Sequence, residues 1–275
     1  KGEIKLFCNQ VFVSDSIKEI VPKYLLPLRG VIDSIDIPLN VSRSALQTDR
    51  KVRSISSFIS KKIASKLKDL IKNQPEFYAE IWDSISAFIK IGAIEDDKFS
   101  DLVKDNIIFE TKFNNNIDMS KEVDNNSLIK SEQKYYTTLN NYQLRNKEID
   151  EKKIIYCTDE ISQANALNLW LSNNREVIKA DPIIDTQFLP WLESKNDNIQ
   201  FHRVDSEINE DLNKENTEIV DKDGKSSSEI LKEIIVKAIN NEKVTVKVQS
   251  LNSENSPPAM IILPEQMRRI NDMGA

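Results

Sequence analysis

The chain has 275 residues, 39% hydrophobic and 30% charged, enough for two or three domains with real cores under heavily charged surfaces. Its net charge of -6 argues against a general nucleic-acid surface, and no apolar run is long enough to cross a bilayer. Lys1 to Gln10 lacks the apolar block and cleavage site of a secretory leader. Cys8 and Cys157 lie in separate apolar stretches without CxxC spacing, so reduced buried thiols and a cytoplasmic location are expected. The lone His202 has no Cys or His cluster beside it, so no metal site is expected.

Residues 4–13 read as a strand, with Leu6, Cys8 or Phe7, Val11 and Val13 on its apolar faces. A strand is unstable alone, so its partners are expected far downstream or outside this sequence. Asp15-Ser16 caps a short helix, Ile17 to Val21. The stretch PKYLLPLRGVIDSIDIPLNVSRSALQTDRKVR, Pro22 to Arg53, follows. Pro38 disfavours the helical region for Ile37 and holds that loop extended. Ser42 or Ser44 can then cap a helix carrying Leu46 and Gln47. Arg43 therefore sits on a stiff loop at a helix start. It reads either as an ordinary solvated arginine or as a guanidinium placed to stabilise a transferring phosphoryl group. Gln47, one helical turn on, lies on the same side. Arg29 and Arg50 are neighbouring alternatives with structural ion pairing as their expected role.

From Asp49 the apolar residues recur at three- and four-residue steps: Val52, Ile55, Phe58 or Ile59, Ile63, Leu67 and Leu70-Ile71. Asn73-Gln74-Pro75 stops that helix. A second carries Phe77, Ile81, Trp82, Ile85, Phe88 and Ile89 to Gly92, and a third spans Asp97 to Ile107, giving a three-helix unit over residues 49–110. Residues 111–134, rich in asparagine, read as a long mobile loop. Thr138 to Tyr142 looks like a short capped helix.

A small layered module follows over residues 135–206. Lys153 to Thr158, Arg175 to Ala180 and Ile199 to Val204 read as strands, separated by a helix capped by Asp159 and another carrying Phe188, Leu189, Trp191 and Leu192. Strand–helix–strand–helix–strand predicts parallel pairing and right-handed crossovers. Its first turn, Cys157-Thr158-Asp159-Glu160, has no phosphate-binding glycine pattern and is acidic, which excludes a nucleotide cradle there. Residues 207–225 are polar and acidic and read as a hinge. Residues 226–275 predict a helix from Ser226, strands at Val244–Val248 and Ala259–Leu263, and a helix from Glu265 to Met273, a small unit to stand alone. Met260, Leu263, Met267, Ile270 and Met273 there form either an adaptable binding surface or a face packed on further chain. Phe188 and Trp191, at i,i+3 on a helix, raise the same question, with core packing favoured.

CNQVFVSD, RGVIDSIDIPLNVSR and SPPAMIILPEQMRRINDMG resemble the ninety-kilodalton heat-shock chaperones, nearest to the bacterial form. The wording around LFCNQVFVSD and WDSISAFIKIGAIEDDKF is cyanobacterial in type. The resemblance covers nearly the whole chain. It implies an α/β and α+β protein: the end of a larger middle-domain α/β layer (residues 1–48), a helical connector, a small three-layer α/β sandwich and a truncated C-terminal domain. It implies an ATP-dependent chaperone of the stress response that binds unfolded proteins. ATP and magnesium would sit on an N-terminal ATPase domain that this chain does not contain, and the missing C-terminal helices would form a homodimer. By resemblance Arg43 contacts the ATP γ-phosphate in trans, Gln47 is the loop glutamine, and Phe12 supports domain docking. Leu263, Met267 and Ile270, with Phe188 or Trp191, would contact non-native clients. The chain departs from the family pattern at Ser44-Ala45, where a glutamate usually follows the arginine, and at Asn9-Gln10, which replace a basic pair. The isolated fragment is expected to hydrolyse no ATP. The other reading, a scaffold for protein contacts alone, makes Arg43 an ion-pair partner of Asp33, Asp36 or Asp49.

Overall fold

The computed structural model describes residues 4–14, 21–25, 29–33, 35, 50–114, 119–125, 127–150, 152–206, 226–241, 243–248 and 259–274. The expected strand at 4–13 is a hairpin: β1 (Ile4–Cys8) and β2 (Val11–Ser14) pair antiparallel through Asn9 and Gln10. Both turn residues have positive φ (50° and 65°), the conformation that a two-residue hairpin turn requires. The Gln10 amide donates to the Asp33 carboxylate at 3.1 Å, tying the turn to β3 (Gly30–Asp33). β3 pairs parallel to β1, so β1 is the centre of a three-stranded sheet.

A 3₁₀ turn, Lys23–Leu25, wedges this unit against the helical connector of α1 (Arg50–Asn73), α2 (Pro75–Glu95) and α3 (Asp97–Val103). Pro75 occupies the first turn of α2, where its missing N–H costs nothing. Asp96 caps α3 by accepting from the Lys98 and Phe99 amides, the capping geometry that satisfies a helix's first donors. Buried Tyr24 reaches into this joint: its hydroxyl lies 3.2 Å from Ser60 Oγ and donates to Asp96 Oδ2 at 3.3 Å. Burial, reinforced by Asp96, pushes the Tyr24 hydroxyl up to about 12. Gly92 makes the approach possible, since a Cβ there would meet the Tyr24 ring at 2.5 Å. The third helix ends before Ile107, and a 3₁₀ turn, Lys104–Asn106, completes it.

The second sheet runs β5-β6-β4-β8-β7-β9. Its strands are β4 (Ile108–Lys112), β5 (Ile129–Ser131), β6 (Lys134–Thr138), β7 (Lys153–Cys157), β8 (Val177–Lys179) and β9 (Gln200–Arg203). β7 pairs parallel with both β8 and β9, as the strand–helix alternation predicts. β4, β5 and β6 add an antiparallel half. The stretch expected as a mobile loop at 111–134 instead carries the end of β4, a short helix α4 (Ser120–Asp124) and β5. Its few apolar residues explain the misreading: Leu128 is buried and Ile129 packs on the core, but the residues around this pair are polar. The helix expected at 138–142 extends as α5 (Leu139–Asp150).

α6 (Ala164–Ser172) and α7 (Asp185–Lys195) cover opposite faces of the parallel strands. Leu167 and Trp170 of α6 pack with Ile155 and Cys157, whereas Phe188 and Leu189 of α7 pack with Ile154, Tyr156 and Phe201. α6 begins later than expected, because the Asp159 carboxylate accepts from the Ile161 and Ser162 amides in a turn that precedes the helix. The C-terminal region has α8 (Ser227–Ile239), with a capping box formed by Ser226 and Glu229, and α9 (Glu265–Gly274). The strands expected at 244–248 and 259–263 are not formed. Val244 is exposed, and an alternating pattern with no strand to pair with does not hold a β conformation.

Candidate functional site

Arg43 and Gln47 lie outside the described residues, as do all but Val21 of the helix expected at 17–21 and the hinge at 207–225. The described structure fixes both flanks of the arginine loop. Upstream is β3, held through β1; downstream is α1, which begins at Arg50 and packs its Ala64, Leu67 and Leu70 into the core. Arg29 is exposed. Phe12 is 53% exposed on the edge strand β2, its ring edge-on to Phe7 at 5.7 Å. Val31, on the same face of the small sheet, is exposed as well.

The second group of expected site residues divides. Phe188 is fully buried and stacks on Trp191 at 5.5 Å between ring centres. Its assignment as a client contact is therefore corrected to a core role. The sequence pattern could not distinguish these, since both aromatic positions fit one helix face. Trp191 is half-buried against the same core, and Leu263 is half-buried. Met267 and Ile270 are 56% and 63% exposed, side by side on the outer face of α9.

The inner face of α9 is polar and was not singled out in the sequence. Glu265 Oε1 accepts from the Tyr156 hydroxyl and from Arg269 Nε, each at 2.9 Å, and Oε2 accepts from the Arg203 amide at 3.0 Å. Arg269 forms a fork on the Glu193 carboxylate at 2.5 and 3.0 Å and donates to the Phe201 carbonyl at 2.9 Å. Arg268 pairs with Asp205 at 3.0 Å, and Arg203 holds the other Asp205 oxygen at 2.8 Å. The readable signal was the spacing: Glu265 and Arg269 at i,i+4, on the side of the helix away from Met267 and Ile270.

Burial works to raise the Glu265 carboxyl, but the Arg203 amide, Arg269 and Tyr156 outweigh it and hold the group below its ordinary value. A depressed acid stabilises the folded arrangement above its unfolded value, about 4.3, and loses that contribution as pH falls through the folded value. The Arg203 amide resonance is therefore expected to titrate with an apparent value below 4.3 as α9 loosens; a transition above it would contradict these contacts.

Two further buried charge systems stand out, the first joining the connector to the sandwich and the second inside the sandwich. Lys90 Nζ lies 2.7 and 2.8 Å from the Asp185 carboxylate oxygens, with side chains 5% and 1% exposed, and over the Phe109 ring at 4.8 Å. Glu176 accepts from Arg145, Asn146 and Thr111 at 2.7–2.9 Å. Among the described residues no cluster could hold a metal ion. Both cysteines are buried and neither is in a disulfide, and burial pushes the Cys157 thiol up to about 11, which leaves it unreactive as a nucleophile.

The Hsp90 protein family matches residues 1–263. The chain belongs to the Hsp90 family. Relatives include the chaperone protein htpG of Bacteroides fragilis, 33% identical over 287 residues, covering 99% of this chain and 38% of that protein. The HtpG of Porphyromonas gingivalis is 33% identical over 276 residues, with the same coverage. The chain thus spans 38% of the length of these relatives. Among solved structures, the middle domain of a putative heat shock protein from Plasmodium falciparum matches 74% of this chain and 72% of that one. Its TM-score is 0.50 at 21% identity, a likeness of fold. The mixed α/β architecture is that of an Hsp90 middle domain. No described helix is long and apolar enough to cross a membrane.

Proposed function

We propose that this chain is the middle and partial C-terminal region of an ATP-dependent chaperone, acting on non-native proteins. The observation that carries the reading is the two-faced α9: charged contacts fix its inner face to the sandwich while Met267 and Ile270 stand exposed on the outer one. A firmly seated helix that leaves a methionine and an isoleucine in water has an adaptable apolar surface to offer. Membership of the Hsp90 family supports the same reading. In this role Met267 and Ile270, flanked by Leu263, contact clients, and Trp191 is a further candidate at the sandwich surface.

Arg43 would reach ATP and its magnesium on the N-terminal ATPase domain, with Gln47 beside it and the exposed Phe12 supporting the docking of that domain. The full-length protein would act as a homodimer in the cytoplasm. The client half is tested by light scattering from a heat-aggregating protein. The chain is expected to suppress aggregation, and Met267→Asp/Ile270→Asp to remove most of that effect without changing its melting temperature. Equal suppression by the double variant would overturn the assignment.

A further inference from the structure

Among the described residues β9 is the last strand of its sheet. Gln200 and Val204 donate inward to Lys152 and Tyr156 of the β7 side, at 2.8 and 2.9 Å. By the alternation of a parallel ladder, the backbone groups of Phe201 and Arg203 point outward, away from β7. Such a row is an open template for another strand. Here every one of its groups is covered without a strand. The Phe201 amide donates to Glu193 at 2.6 Å, and the Phe201 carbonyl accepts from Arg269 at 2.9 Å. The Arg203 amide donates to Glu265 at 3.0 Å, and the Arg203 carbonyl accepts from the Ser206 hydroxyl at 2.7 Å.

The two contacts from α9 have a particular geometry. In a parallel ladder, one residue of an added strand would donate to the Phe201 carbonyl and accept from the Arg203 amide. Arg269 supplies that donor and Glu265 that acceptor, and the pair is joined to itself at 2.9 Å. A salt bridge on one helix thus takes the place of one residue of a neighbouring strand.

We propose that the β9 edge is a latched strand-addition site for an extended segment of non-native polypeptide, closed by Glu265 and Arg269 and opened when α9 lifts. The proposal rests on the chaperone reading and gives it a second mode of recognition. Main-chain pairing takes no account of client sequence, which suits a protein that handles many clients. Lifting α9 exposes the Phe201 carbonyl and the Arg203 amide together, while Glu193 remains on the Phe201 amide from α7. Because the same helix carries Met267 and Ile270, release of the latch also moves the apolar contact surface.

The test uses the whole chain and a labelled, permanently unfolded probe, reduced and carboxymethylated α-lactalbumin, followed by fluorescence anisotropy. Glu265→Ala/Arg269→Ala is expected to bind it about tenfold more tightly than the wild type, on the scale of one or two added main-chain hydrogen bonds. Adding Arg203→Pro, which removes the outward N–H at an edge position that tolerates proline, should return binding to the wild-type level. Adding Arg203→Ala, which keeps that N–H, should not. Amide exchange supplies a readout independent of the proline: the Arg203 amide should exchange faster in the double variant and regain protection when the probe binds. No gain in binding, a gain that survives Arg203→Pro in a folded protein, or an Arg203 amide left unprotected by the probe would overturn the proposal. If neither wild type nor variants bind the probe at all, the chaperone reading fails with it.

Discussion

Arg43→Ala is expected to lower ATP turnover by the full-length protein about 10³-fold or more, the scale on which a guanidinium stabilises charge on a transferring phosphoryl group. The physical case rests on what flanks the loop. β3 is fixed by pairing with β1 and by the Asp33 carboxylate on the Gln10 amide, and α1 is anchored by its buried apolar stripe. Tyr24, packed at 2.5 Å from the place a Gly92 side chain would take, locks the approach to the loop onto the connector. In the proposed function, Arg43 is carried between these two anchors and would meet the phosphate of a partner domain. ATP binding should be far less affected than turnover, because the contact gains strength as charge develops. An unchanged turnover number would leave Arg43 as a surface arginine.

The second large effect lies at the joint between connector and sandwich. Lys90→Ala is expected to cost about 3–5 kcal/mol in denaturant unfolding, the range for removing one partner of a buried ion pair. Asp185 would keep only the Asp181 amide at 2.7 Å and would remain a buried charge without its cation. Burial already drives the Asp185 carboxyl up in spite of Lys90, and removing the cation that opposes this rise would raise it further. Replacing both partners together, as Lys90→Met/Asp185→Leu, should cost much less, since it removes the desolvated charges along with their attraction. Equal losses for the single and double variants would show that packing, and not the ion pair, holds α2 to α7.

Much of this architecture was legible in the residues. The helical connector followed from apolar steps of three and four, and the parallel core strands from runs such as Ile154-Ile155-Tyr156 that are buried on both faces. What escaped was set by partners distant in sequence. β5 and β6 are short and lie among polar residues, so only their pairing with each other, and that of β6 with β4, reveals them. The alternation at Val244–Val248 looked like a strand and forms none, and no described strand pairs with it. Nothing local marks Glu176, Arg145, Lys90 and Asp185 as buried pairs. Of the candidate site, the exposure of Met267 and Ile270 fits one of the two expected readings. The charged inner face of α9 became visible only with the edge of β9 in place.

The most direct test of the account mixes this chain with the isolated ATP-binding domain of an Hsp90 relative and follows phosphate release. Hydrolysis should rise on mixing, the chain alone should hydrolyse nothing, and the rise should be lost with Arg43→Ala. Hydrolysis that stays at the level of the ATP-binding domain, or a rise that the Arg43→Ala chain supports equally, would contradict it.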